Sequence, residues 1–233
     1  MIKRTILRGI WGTAKTVRRN AKAKILLEVP NIIHNEYTLP FTCYAYGKDN
    51  KKFIEDNGGT AILLNDNPMP YPPEEQFRNK LEMIRYAMEE DHYDEILWID
   101  WDCYPTKALP ENFWSVLGKK ESIQACLMIY MRKKAMWRKW CKRTIPNGGF
   151  LYIRDKTIPS KIIELWNTNR QDNDEPAIAM YMDTFIGNWE DREASLSKYW
   201  QLFEPDFCNL IRAYAYPTEL INTKNVCFIH SQG

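Results

Sequence analysis

Asp94-Glu95-Ile96-Leu97-Trp98-Ile99-Asp100-Trp101-Asp102-Cys103 is the stretch on which the reading of this chain turns. Ile96 to Ile99 form an apolar run of the length of one buried strand, too short for a helix. The run ends in Asp100 and Asp102. In extended backbone, residues i and i+2 point to the same side, so the two carboxylates can approach one ion. Carboxylate oxygens suit a hard divalent cation such as Mg²⁺ or Mn²⁺, and such a cation suits a diphosphate. An open parallel sheet binds ligands beyond the carboxyl ends of its strands, which is where these acids fall. Alone, Asp-x-Asp has a plainer reading as two solvated acids in a turn before Pro105. Its weight comes from following three strand-and-helix units and preceding a late histidine.

Those units can be traced along the chain. Thr5 to Gly12 reads as a first strand ending at glycine. Thr13 to Leu27 then reads as a helix with Lys15, Arg18, Arg19, Lys22 and Lys24 on one face. A rival reading makes residues 1–24 one cationic amphipathic helix lying on a membrane, against which Gly9 and Gly12 weigh. Phe41 to Tyr46 is a second strand closed by Gly47. Asn50 to Asp56 is a helix stopped by Asn57-Gly58-Gly59, and Ala61 to Leu64 is a third strand. Asn65 to Pro73 is a loop. Glu74 to Glu90 carries Phe77, Leu81, Ile84, Tyr86 and Met88 at roughly helical spacing. Alternating strands and helices predict an α/β fold with a mainly parallel sheet flanked by helices.

In the second half, Glu111 to Leu117 reads as helix and Ser122 to Tyr130 as strand. The acid-free segment Arg132 to Arg143 follows, with a solvated helix face as its plainest reading. Ile145 to Gly149 reads as a turn into the strand Phe150 to Ile153. Ser160 to Asn167 is a helix. Asp172 to Pro176 reads as the cap and first turn of a helix with body Ala177 to Phe185. Val226 to Ile229 reads as a short strand carrying His230.

The 233 residues suit a single domain. Residues 1–105 would hold a nucleotide and 106–233 an acceptor. Hydrophobic content of 45% and charged content of 27% describe an ordinary globule, with 13% aromatic residues to build a core and line stacking sites. The six cysteines (Cys43, Cys103, Cys126, Cys141, Cys208, Cys227) show no C-x-x-C and read as free buried thiols in a reducing compartment. No apolar run is long enough for a bilayer, and no apolar segment of signal type follows the basic start. A cytoplasmic location is therefore expected. GxGxxG and GxxxxGK[ST] are both missing, which weighs against dinucleotide enzymes and P-loop NTPases.

Four segments in order carry a resemblance: Leu97 to Asp102, Pro146-Asn147-Gly148-Gly149-Phe150, Asp174-Glu175-Pro176-Ala177 and Ile229-His230-Ser231-Gln232-Gly233. The chain resembles nucleotide-diphospho-sugar glycosyltransferases of the GT-A fold, and within them the glycogenin and lipopolysaccharide-galactosyltransferase family. The resemblance implies metal ligation by Asp100, Asp102 and His230, with Asp100 also touching the ribose. The cation would be Mn²⁺, favoured over Mg²⁺ by the imidazole. It implies that Asn147, Gly148 and Gly149 approach the donor sugar, and that Asp174 and Glu175 hold sugar hydroxyls near the reacting carbon. The sequence departs from the family at Glu175, where glutamine is usual. It also ends at Gly233, before a lysine that would meet the diphosphate. Lys80 or Arg78 is expected to supply that charge, and Arg8 and Trp11 to contact the base.

The resulting expectation is an enzyme, a metal-dependent hexosyltransferase-like protein with a UDP-sugar donor and a hydroxyl acceptor on a glycan or a modified DNA base. A base for an inverting reaction would come from Asp174, Glu175 or Asp183. Arg132, Lys133, Lys134, Arg138 and Lys139, with Trp137 and Trp140 interleaved, point to an anionic partner: nucleic acid, a phosphorylated glycan or an anionic membrane surface. A nucleotidyltransferase of similar fold and a non-catalytic nucleic-acid-binding protein are the alternatives.

Overall fold

In a computed structural model of the chain, the residues described are 1–9, 39–67, 69, 76–101, 103–105, 111, 113–117, 123–133, 140–169, 174–182, 211–214 and 228–231. Strand β4 (Glu95–Asp100) lies inside a six-stranded sheet. Ile96, Leu97, Trp98 and Ile99 are all buried, as an apolar run without alternation requires when both faces of a strand are covered. On one side β4 pairs in parallel with β1 (Arg4–Gly9), so that Gly9 stands opposite Asp100. Beyond β1 come β2 (Thr42–Tyr46) and β3 (Thr60–Asn65), also parallel. Helix α1 (Lys48–Asp56) connects β2 to β3, and α2 (Gln76–Glu89) connects β3 to β4. On the other side β4 pairs antiparallel with β7 (Trp140–Ile153), which pairs with the edge strand β6 (Ile123–Lys133). The order β3-β2-β1-β4-β7-β6 is the expected mainly parallel, Rossmann-like sheet of the GT-A type.

Helices α4 (Ile158–Asn169) and α5 (Asp174–Tyr181) continue the packing: α2 lies on α4, α4 on α5, and α5 on β7. A single turn, α3 (Phe113–Val116), stands where a longer helix is expected. A second sheet joins β5 (Cys103–Pro105), β9 (Phe228–Ser231) and β8 (Ile211–Tyr214) in the order β5-β9-β8.

Several expectations need correction. Residues 145–149 are not a turn. They lie in β7, where Cys126 pairs with Asn147 but Ala125 with Leu151, so Gly148, Gly149 and Phe150 form a bulge relative to β6. Two adjacent glycines permit a bulge as readily as a turn, and the pairing of β7 with β4 selects the bulge. Arg132, Lys133 and Trp140 to Arg143 lie on β strands instead of a helix face; Pro146 and the β-branched residues around it oppose helix there. His230 is carried by a strand as expected, β9, which extends to Ser231. On α2, Met83 and Ala87 are buried and Tyr86 is exposed, because Tyr86 falls about 200° around the helix from Ile84. The expected helix from Thr13 to Leu27 lies outside the described residues.

One glycine is fixed by a neighbour. A Cβ on Gly9 would fall within the Trp98 ring, whereas one on Gly58 (φ +81) would meet nothing and only face backbone strain. Gly58→Ala should therefore cost about 1–2 kcal/mol. Gly9→Ala should cost at least as much through overpacking, about 1–3 kcal/mol, with Trp98 displaced. Urea unfolding combined with tryptophan near-UV circular dichroism checks both: only the Gly9 variant should change the tryptophan signal.

Candidate active site

The site is built around a lysine where the helix pattern demands an apolar residue. Phe77, Lys80, Leu81, Ile84 and Met88 share one stripe of α2. Lys80 is 1% exposed, and its ammonium makes three interactions. It donates to Asp100 Oδ2 at 3.2 Å while lying 3.0 Å from Oδ1, donates to Asp174 Oδ2 at 2.8 Å and donates to the Gly148 carbonyl at 2.9 Å. An ammonium has three protons, so all are committed to protein acceptors. Burial lowers the pKa of Lys80, but Asp100 and Asp174 outweigh it and hold the group above the ordinary lysine value.

Asp100 ends β4 and is 5% exposed. Trp98, two residues earlier and hence on the same side of the strand, donates its indole Nε1–H to Asp100 Oδ1 at 2.7 Å. The Trp98 ring fits because β1 presents glycine at position 9. The carboxylate is thus fixed by an indole and an ammonium at once.

Asp174 opens α5, where the helix dipole favours an acid. A Cβ on Gly148 would clash with the Asp174 carboxylate, so the bulge of β7 needs glycine at this position to let α5 approach. Next to it, the Gly149 carbonyl accepts the Cys103 thiol at 3.1 Å. Glu175 is also buried. Asn147 is placed by its backbone in β7, next to the bulge.

Arg8 does something other than expected. Its guanidinium lies 4.6 Å from the Trp101 ring centre and 5.4 Å from that of Phe41, in cation–π range. It donates to the Trp101 carbonyl at 2.9 Å and to the Cys103 carbonyl at 3.2 Å. These are the residues on either side of Asp102 in the chain, so Arg8 holds the segment that carries the second acid. On the far side of that segment, His230 stands opposite Cys103 in the β5–β9 ladder. A residue 127 positions away is thereby brought beside the one that follows Asp102.

Of the residues expected from sequence, Lys80, Asp100, Gly148 and Asp174 converge in contact, and Gly149 and Glu175 adjoin them. Lys80 is an internal counter-ion for Asp100 and Asp174. Arg78 is two positions away on α2, hence on another face, 4.0 Å from Glu82. Trp11, Asp102 and Asp183 lie outside the described residues, as does the side chain of His230. Among the described residues no group of three His, Cys, Asp or Glu makes a metal site. Trp98 and Gly9 were missed as site residues. Their signal was the large ring one alternate position before Asp100 and a glycine ending the paired strand.

No protein-family model matches the chain, and no curated protein does. Solved structures resemble it at low identity. The galactosyltransferase LgtC, in complex with donor and acceptor sugar analogs, is 13% identical over 98% of this chain and 87% of its own, with a TM-score of 0.47. Mouse xyloside xylosyltransferase 1 is 10% identical over 99% and 98%, at 0.46. A glycosyltransferase involved in glycosylation of the major capsid of PBCV-1 is 15% identical over 99% and 93%, at 0.42. At this distance the likenesses carry no weight for what this chain binds or does.

Removing the ammonium leaves two buried carboxylates facing each other. Lys80→Met should cost about 3–5 kcal/mol at neutral pH. Because the folded lysine pKa is raised, its contribution is fully present below about pH 10.4, the ordinary lysine value, and is lost as pH rises through the higher folded value. Urea unfolding across pH should show the gap between wild type and variant narrowing above that point. A neutral-pH gap under about 1 kcal/mol, typical of a surface pair, would contradict the burial.

Proposed function

We propose that this protein is a metal-dependent glycosyltransferase that moves a sugar from a UDP-sugar to a hydroxyl acceptor. The observation that carries the reading is the assembly of Asp100 and Asp174, 74 residues apart, around Lys80 at the carboxyl end of β4. That end of an open α/β sheet is where ligands bind. It is also where a strand from the far end of the chain brings His230 opposite Cys103.

In this reading Asp102 and His230 hold Mn²⁺, with Asp100 beside them. The ion would neutralise the charge that develops on the departing diphosphate. The chain's own residues do the positioning. Asp100 and Asp174 are acceptors for ribose and sugar hydroxyls, and the indole and ammonium keep both carboxylates from turning. Such fixed acceptors reduce the reorganisation needed at the reacting centre. Gly148 lets the Asp174 carboxylate come against β7, and in this reading the backbone of Gly148 and Gly149 lines the donor sugar. Glu175, at the first turn of α5, would align the acceptor hydroxyl.

A panel of nucleotide sugars in a thermal-shift assay tests the proposal. One UDP-sugar should raise the melting temperature in the presence of Mn²⁺, by the equivalent of about 2.7 kcal/mol at a hundredfold excess over Kd. The shift should vanish with EDTA and in Asp102→Ala. Equal stabilisation without metal, or in that variant, would overturn the metal-dependent scheme. No response to any nucleotide sugar would overturn the donor.

A further inference from the structure

Beyond the bulge, β7 leaves β4 and continues with β6 alone. Their pairing runs from Cys126 opposite Asn147 to Lys133 opposite Trp140, whereas β4 pairs with β7 only up to Ile99 opposite Phe150. The result is a two-stranded ribbon of eight residue pairs, about 25 Å long. It continues in the direction of the carboxyl end of β4, and its root is the glycine bulge that accepts a proton from Lys80.

The ribbon's sequence is segregated in a way the site does not use. From Leu127 to Arg143 every residue is apolar, aromatic, Lys or Arg; Ser, Thr, Asn, Gln, Gly, Asp and Glu are all missing. Seven basic residues fall between Arg132 and Arg143, although the whole chain carries only +2, so the rest of the protein is net acidic. By register, Arg132 and Arg143 lie on one face of the ribbon, and Lys133 and Lys142 on the other. Each stands opposite an uncharged residue: Arg132 opposite Cys141, Arg143 opposite Tyr130, Lys133 opposite Trp140, Lys142 opposite Met131.

We infer that this ribbon docks the protein on an anionic phospholipid surface. Charge alone fits any polyanion. The rest of the composition selects a lipid: Trp, Tyr, Met and Ile among cations match the headgroup boundary, where aromatic rings settle and each cation near the surface adds attraction. A nucleic-acid surface would engage Ser, Thr, Asn and Gln side chains as well, and from Leu127 to Arg143 there is none of these, the neutral hydrogen-bonding groups being the Tyr130 hydroxyl and the indoles of Trp137 and Trp140. Among the described residues no helix is long and apolar enough to cross a membrane, so this attachment is peripheral. It stands independently of the transferase proposal, and it would bring the Lys80 site towards acceptors held at the same surface.

Vesicle sedimentation with the full chain tests it. The protein should pellet with vesicles of phosphatidylcholine and phosphatidylserine, and stay in solution with phosphatidylcholine alone. Inorganic phosphate should not compete, which separates a surface from a single phosphate site. The variant R132Q/K133Q/K142Q/R143Q should bind up to about a thousandfold more weakly with an unchanged melting temperature. K48Q/K51Q/K52Q, on the exposed face of α1, should bind like wild type. Should the four-fold variant lose stability, Trp140→Ser, which keeps every charge, should still weaken binding. Equal binding of the ribbon and α1 variants, indifference to phosphatidylserine, or tighter binding to duplex DNA at the same salt would overturn the inference.

Discussion

A buried ammonium with three protein acceptors is the constraint on which the site depends. Moving a lysine out of water is costly unless its charge is met and its protons are placed. Lys80 meets both conditions only because three separate parts of the chain arrive together: the end of β4, the bulge of β7 and the start of α5. Each is a long-range neighbour of the others in sequence. The lysine therefore acts as a check on assembly, since a misplaced α5 or a β7 without its bulge leaves a charge unpaired.

Around that point the chain makes room by removing side chains. Gly148 lets the Asp174 carboxylate approach the strand, and Gly9 lets the Trp98 ring lie against β1 and reach Asp100. Arg8 ties the carbonyls of Trp101 and Cys103 and lies over the Trp101 ring, anchoring these two residues by charge and by aromatic contact. A site rigidified by one indole, one ammonium and one guanidinium has its acceptors oriented before any ligand arrives, the condition under which fixed charges contribute most.

Much of this was legible in the sequence, for identifiable reasons. The run from Ile96 to Asp100 lacks alternation and could only be an inner strand. The glycines after Asp56 and after Tyr46 marked their element ends with their positive φ. Asp100, Asp174 and Gly148 stood out from pattern, and the fold brings them together around Lys80. The role of Lys80 was not, although a charge on the apolar stripe of α2 is itself a sign of a buried partner. The turn expected at residues 145–149 was misjudged because two glycines serve a bulge and a turn equally. Only pairing with β4, a non-local fact, distinguishes the two. The same limit applied to His230, whose place opposite Cys103 depends on a strand pairing across 127 residues.

A double-mutant cycle of Lys80→Met and Asp174→Asn, read by urea unfolding at neutral pH, tests the central claim most directly. If the ammonium truly bridges the buried carboxylates, the two changes should couple by about 2–3 kcal/mol, the double variant being far less destabilised than the sum of the singles. Additivity within about 0.5 kcal/mol would mean that the two groups do not meet in the folded protein, and the site built around them would not stand.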